Sequence, residues 1–86
     1  MPLLVMKFGG TSVATLDRIR RAAKRVAREV ANGHDVIVIV SAMAGRTNEL
    51  VDWVSETSPF FDAREYDAVV SSGENVTAGL MALTLQ

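Results

Sequence analysis

Eighty-six residues make one small domain with a thin core, and 49% apolar against 22% charged residues is a globular rather than a disordered composition. Nine Lys+Arg against ten Asp+Glu point to no polyanionic partner, zero Cys excludes disulfides and thiol chemistry, and the single His34 excludes a multi-His metal site. No apolar run approaches the roughly 20 residues of a membrane span, and Leu3–Met6 is too short for a signal peptide, so the expectation is a soluble, cytoplasmic chain.

Residues 3–8 form a short apolar run interrupted by Lys7 and stopped by Gly9-Gly10, which reads as a buried strand. Thr15 is placed as an N-cap with Asp17 in the first turn. From there Ile19, Ala22, Ala23, Val26, Ala27 and Val30 recur at helical spacing. Asn32-Gly33 supplies the C-terminal stop. Val36–Val40 is β-branched at every position, the pattern of a parallel strand buried on both faces. Strand, helix, strand is a βαβ unit, and the fold class is α/β with parallel strands and following helices. Residues 47–57 read as a short helix with Leu50, Val51 and Val54 on one side, stopped by Ser58-Pro59. Residues 63–72 fit strand or helix, with helix preferred. A further helix is expected from about Glu74, carrying Val76, Leu80, Met81 and Leu83 and still running at Gln86. A chain that stops inside an element reads as a segment of something longer.

Charge is unevenly distributed. Residues 1–28 hold seven cations against Asp17, while residues 29–86 hold Arg46 and Arg64 against nine acids. The cations of 18–28 fall opposite the Ala/Val/Ile stripe and no aromatic is interleaved, so they form a solvated helix face rather than a nucleic-acid surface. Trp53, Phe60 and Phe61 are read as core or interface residues.

Three stretches could carry chemistry. Lys7-Phe8-Gly9-Gly10-Thr11-Ser12 lies between a strand and a helix. Paired glycines let backbone N–H groups close around an anion, backed by the positive end of the next helix, with Lys7 adding a full charge. It is not a Walker A loop, because there the Lys follows the glycines. The same features also describe an ordinary glycine turn beside an exposed Lys. Ser41-Ala42-Met43-Ala44-Gly45-Arg46-Thr47-Asn48 follows the second strand, and ligands of open parallel sheets sit beyond such strand ends. Ser41 and Thr47 could donate there, or Thr47 could simply cap its helix. In Ser71-Ser72-Gly73-Glu74-Asn75, Glu74 is read at a helix start, where the dipole alone explains a carboxylate. The functional alternative is that Glu74 accepts from a substrate ammonium.

Taken together, these stretches resemble a known family. Val5-Met6-Lys7-Phe8-Gly9-Gly10-Thr11-Ser12-Val13 resembles the opening motif of the aspartate kinases, members of the amino-acid kinase fold. Val40–Gly45 with Thr47–Leu50 is similar to that family's second glycine loop, and Ser72–Leu80 to its third. Ala14 and Asn75 depart from the expected Gly and Gln. The resemblance implies phosphorylation of the L-aspartate side-chain carboxylate by MgATP, the entry step to lysine, threonine and methionine synthesis. It implies Lys7 as the catalytic residue, with Lys7, Phe8, Gly9, Gly10 and Ser41 on the nucleotide phosphates. Thr47 and Glu74 would bind aspartate, and Mg2+ would arrive on the nucleotide. It further implies that residues 1–86 are an N-terminal part of a kinase domain. The half of the domain that holds the base and the ACT regulatory domains would be absent, and the whole protein oligomeric. The isolated chain is then expected to be marginal, aggregation-prone and inactive. Another amino-acid kinase, a stand-alone phosphate- or nucleotide-binding module, and an interaction piece docking through its basic helix are the alternatives.

Overall fold

Two strands lie side by side in parallel at the centre of a computed structural model that describes residues 2–86. β1 (Leu3–Phe8) and β2 (Asp35–Val40) pair from Leu3 against Asp35 to Phe8 against Val40, so both end at one level. A 3-10 turn (Gly10–Val13) and α1 (Leu16–Ala31) make the crossover. After β2 come α2 (Arg46–Thr57) and α3 (Ala63–Leu85). The α/β class and the parallel βαβ unit are those expected.

α1 starts where Thr15 Oγ1 accepts a hydrogen bond from the Arg18 N–H at 3.2 Å, and it stops before Gly33, whose φ of 93° only glycine adopts freely. Its buried stripe of Ile19, Ala22, Ala23 and Val26 joins Phe8, Val13 and Met81 in one core. Ala27 and Val30 share the spacing of that stripe but are exposed. Ala27 lies on its flank, and Val30 lies in the last turn, where it is 55% exposed.

Both long helices pack on the same face of the sheet. Met6, Phe8, Val36, Val38 and Val40 meet α1 there, together with Leu80 and Met81 of α3. Because side chains alternate along a strand, Leu3, Val5, Lys7, Ile37 and Ile39 point the other way. That face is open: Val5 is 55% exposed, Ile37 48% and Ile39 46%. The expectation that β2 is buried on both faces is therefore not met in this chain. The strand has the composition for two covering layers, and residues 2–86 supply one.

A second correction concerns α3. The break expected near Ser71-Ser72-Gly73 does not occur, and one helix runs from Ala63 to Leu85. The hydroxyls that would favour a turn bond back into the helix instead, Ser72 Oγ to the Val69 carbonyl at 2.6 Å and Ser71 Oγ to that of Ala68 at 3.4 Å. Gly73 is buried at a close helix contact. A Cβ there would stand 3.2 Å from Ala42 Cβ, Arg46 Cγ and Leu50 Cδ1. Its glycine serves packing rather than a turn.

The stop at Ser58-Pro59 is present, with Ser58 extended at φ −152° and ψ 123°. Beyond it, the tip of the α2–α3 hairpin projects from the sheet. The radius of gyration is 15.4 Å, where a compact chain of this length has roughly 12 Å.

Candidate functional site

The ends of β1 and β2 feed two loops that are bonded to each other. The Ser41 N–H donates to the Phe8 carbonyl at 3.2 Å, and the Ala44 N–H donates to the Gly10 carbonyl at 3.2 Å. Gly10 is what allows this approach, because a Cβ there would lie 3.0 Å from the Ala42 carbonyl oxygen. The two small-residue stretches thus form one continuous rim beyond the strand ends, the place where open parallel sheets bind ligands.

Gly9 is different. Its φ of −74° suits any residue, and a Cβ would meet nothing within 4 Å. Neither conformation nor packing within the chain requires a glycine. What its missing Cβ provides is bare backbone facing open space. The Ser12 N–H closes the turn onto the Gly9 carbonyl at 3.0 Å, and the N–H groups that open such a turn have no acceptor within it. The long helix does not back this bend directly: α1 begins only at Leu16, after the 3-10 turn. Its dipole is therefore displaced from the glycines, contrary to expectation.

The remaining site residues are dispersed over the sheet and the two helices that follow it. Lys7 stands exposed on the open face of the sheet, opposite Ile39 and close to the end of β1, and it has no ion-pair partner among the described residues. Phe8 buries its ring in the core and spends its carbonyl on Ser41. Ser41 is half-buried at the end of β2. Thr47 is the second residue of α2 and exposed; it is not the cap. Gly45 takes that position with φ 82°, and the Arg46 N–H bonds to the Met43 carbonyl at 2.9 Å. Glu74 is exposed in the middle of α3, not at a helix start, so no helix terminus stabilises it. Its turn of α3 is nevertheless held beside the second loop, because neighbouring Gly73 packs on Ala42 and Arg46.

The structure thus joins residues 9–12 with 41–46 and brings the Gly73–Glu74 turn alongside. Lys7 lies across the sheet, on the face that α3 does not cover. Two clefts lie elsewhere, one beside α1 and one at the hairpin tip, and Lys7 lines neither. A wall over the open face would be needed to enclose it. One contact was not anticipated from sequence: Arg18 Nη1 donates to the Thr11 carbonyl at 2.9 Å and braces the first loop from behind. An arginine in the first turn of the helix after a glycine loop is the signal that marks it.

The model of the amino acid kinase family matches residues 2–86. The chain belongs to that family. It is 52% identical over 89 residues to an aspartokinase of Rickettsia felis, covering all of this chain and 22% of that protein. It is 47% identical over 85 residues to the aspartate kinase Ask_LysC of Stutzerimonas stutzeri, covering 99% of this chain and 21% of that protein. The crystal structure of aspartate kinase from Synechocystis superposes with a TM-score of 0.94 at 44% identity, over 100% of this chain and 15% of the other. The chain therefore has the fold of the N-terminal part of an aspartate kinase. It spans about a fifth of the length of the curated relatives it matches.

Proposed function

We propose that this chain carries the phosphate-gripping and aspartate-recognising half of an aspartate kinase site. The reaction is transfer of the terminal phosphoryl group of MgATP to the side-chain carboxylate of L-aspartate. A carboxylate oxygen attacks the terminal phosphorus, the bond to the bridging oxygen breaks, and ADP departs with that electron pair. The products are 4-phospho-L-aspartate and ADP, which places the step at the entry to lysine, threonine and methionine synthesis. The observation that carries this reading is Gly9, a glycine that the chain's own conformation and packing do not require. It lies in a rim shared by two loops at the strand ends.

In this reading the backbone at Gly9 and Gly10 receives the terminal phosphate, with the Phe8 backbone and Ser41 completing the segment. Lys7 neutralises charge that grows on the phosphoryl oxygens in the transition state. Thr47 and Glu74 hold aspartate, Glu74 accepting from its α-ammonium. The attacking carboxylate is ionised at neutral pH, so no general base is needed and a chain with one His suffices. Catalysis is then positioning and charge neutralisation. Mg2+ in this reading travels on the nucleotide phosphates, which is its usual mode of binding at such sites.

A graft tests the proposal. When residues 1–86 replace the matching segment of the Rickettsia felis aspartokinase, the hybrid is expected to form aspartyl phosphate, trapped as the hydroxamate. The 86-residue chain alone is expected to form none. Lys7→Ala in the hybrid should lower kcat by about 100-fold or more. Glu74→Ala should mainly raise the KM for aspartate. A hybrid that binds ATP but phosphorylates glutamate or nothing at all would overturn the assignment.

A further inference from the structure

Successive carbonyl groups of the first loop each have a donor. The Phe8 oxygen accepts from the Ser41 N–H, that of Gly9 from the Ser12 N–H and that of Gly10 from the Ala44 N–H. Those donors are backbone groups. The Thr11 oxygen is held by a side chain instead, with Arg18 Nη1 donating to it at 2.9 Å. A planar trans peptide points its N–H opposite to its C=O, so a held carbonyl fixes the direction of the next residue's N–H.

The Thr11 carbonyl shares a peptide plane with the Ser12 N–H, and that N–H donates to the Gly9 carbonyl at 3.0 Å. The Gly9 carbonyl in turn shares a plane with the Gly10 N–H. The Gly10 and Thr11 N–H groups have no acceptor among the described residues, and each points away from the bonded carbonyl of its own plane. Arg18 thus stands at one end of a path through two peptide planes, and the Gly10 N–H stands at the other. The plane between Gly9 and Gly10 is also the one most easily turned, since neither residue has a Cβ to resist rotation. Turned over, it would present a carbonyl oxygen where the N–H now stands, and that oxygen would repel an anion.

The neighbouring cations do not share this contact. The cleft beside α1, about 280 Å³, also has Arg21 and Arg25 along its wall. Arg21 is paired with Asp17 at 3.3 Å, and Arg25 makes no ion pair among the described residues. Arg18 has no carboxylate partner there either, so its charge-assisted bond to Thr11 is not shared with an acid. We infer that Arg18 is a positioning residue for phosphoryl transfer: through the Thr11–Ser12 and Gly9–Gly10 peptide planes, its guanidinium keeps the Gly10 N–H turned toward the terminal phosphate of the nucleotide. The inference rests on the kinase reading for its phosphate and on the chain's own hydrogen bonds for its geometry.

Amide spectra of the 86-residue chain in the cold, with and without inorganic phosphate, test the geometry apart from catalysis. Arg18→Met should move the Gly10 and Ser12 amide resonances and weaken phosphate binding about tenfold. The urea midpoint should hardly change, because Arg18 is exposed. In the hybrid aspartokinase the same variant should lower kcat/KM for ATP by about tenfold or more while leaving the KM for aspartate in place. Arg18→Lys keeps a charged donor and should recover most of that loss. Arg21→Met removes a cation from the same cleft that does not bond to the loop, and it should lose nothing. Unmoved Gly10 and Ser12 amides in Arg18→Met, or an aspartate KM that rises with it, overturn the inference. So does equal impairment of Arg21→Met, which would make the charge of the cleft responsible rather than the bond to Thr11. An inactive unsubstituted hybrid overturns the kinase reading alone, and the amide shifts then decide the role of Arg18.

Discussion

Gly9 and Gly10 are neighbours of one residue type with opposite reasons for being glycine, and substitution separates them. At Gly10 a methyl group would press on the Ala42 carbonyl oxygen at 3.0 Å, and that oxygen belongs to backbone that is itself held by the loop–loop bond. Gly10→Ala is therefore expected to destabilise the chain by about 1–3 kcal/mol, read as a lower urea midpoint. At Gly9 the methyl group meets nothing and φ is ordinary, so Gly9→Ala should leave stability unchanged or raise it by about 0.4–1 kcal/mol through the unfolded state. If Gly9 serves an anion, the same variant should weaken inorganic phosphate binding about tenfold, followed by amide shifts at Gly10 and Thr11. A variant that loses stability and keeps its phosphate shifts would assign Gly9 to the fold. Thr15→Ala is a control on the same stretch: it removes the hydrogen bond to the Arg18 N–H and should cost about 1 kcal/mol with no effect on phosphate.

At the scale of elements, what local chemistry decides was legible and what packing decides was not. β1, the Thr15 cap, the Gly33 stop, β2 and the Ser58-Pro59 stop all follow from residues acting on their own backbone. The continuity of α3 does not. Ser71, Ser72 and Gly73 carry a turn composition, but two hydroxyls find acceptors inside the helix and the glycine is needed against Leu50 and Ala42. The same turn composition predicts a helix start at Glu74, and an unbroken β-branched run does not by itself distinguish one covered face from two. At the site, the meeting of the two loops was legible because both follow parallel strands. The face occupied by Lys7 follows from counting alternation along β1, and a two-stranded sheet with a single crossover is expected to leave one face and an edge uncovered, as it does here. The attachment of α3 to the sheet rests on Met81, 3% exposed in the core beside Leu80. Met81→Ala is expected to lower stability by about 2–4 kcal/mol, a large share of what a domain of this size possesses. Leu83→Ala, at a residue 66% exposed two positions on, should stay within about 0.5 kcal/mol. Equal losses in thermal unfolding would place the α3 contact elsewhere.

Over the whole molecule the governing feature is a sheet with helices on one face and none on the other. Leu3, Val5, Ile37 and Ile39 present a strip of apolar, strand-forming side chains to water, and the outer edge of each strand keeps its backbone groups unpaired within the sheet. Each such side chain gains about 1.5–3 kcal/mol when fully buried, so the strip is a drive to find cover. Relatives about five times longer have further chain with which to cover it, and Lys7 stands at the end of that same strip. The 86-residue chain alone has only other molecules, and open strand edges offer them a template. It is expected to scatter light and bind a hydrophobic dye on warming, in a way that added salt does not relieve. Ile37→Thr/Ile39→Thr keeps β-branched side chains on the strand while removing apolar area from the open face. The double variant should suppress scattering and dye binding with little change in the unfolding midpoint. Val38→Thr, on the face against α1 and Leu80, should instead cost stability and leave scattering in place, because a hydroxyl there loses water without an assigned partner. Were the two substitutions to act alike, the two faces of the sheet would be equivalent and the one-sided architecture could not explain the chain's behaviour.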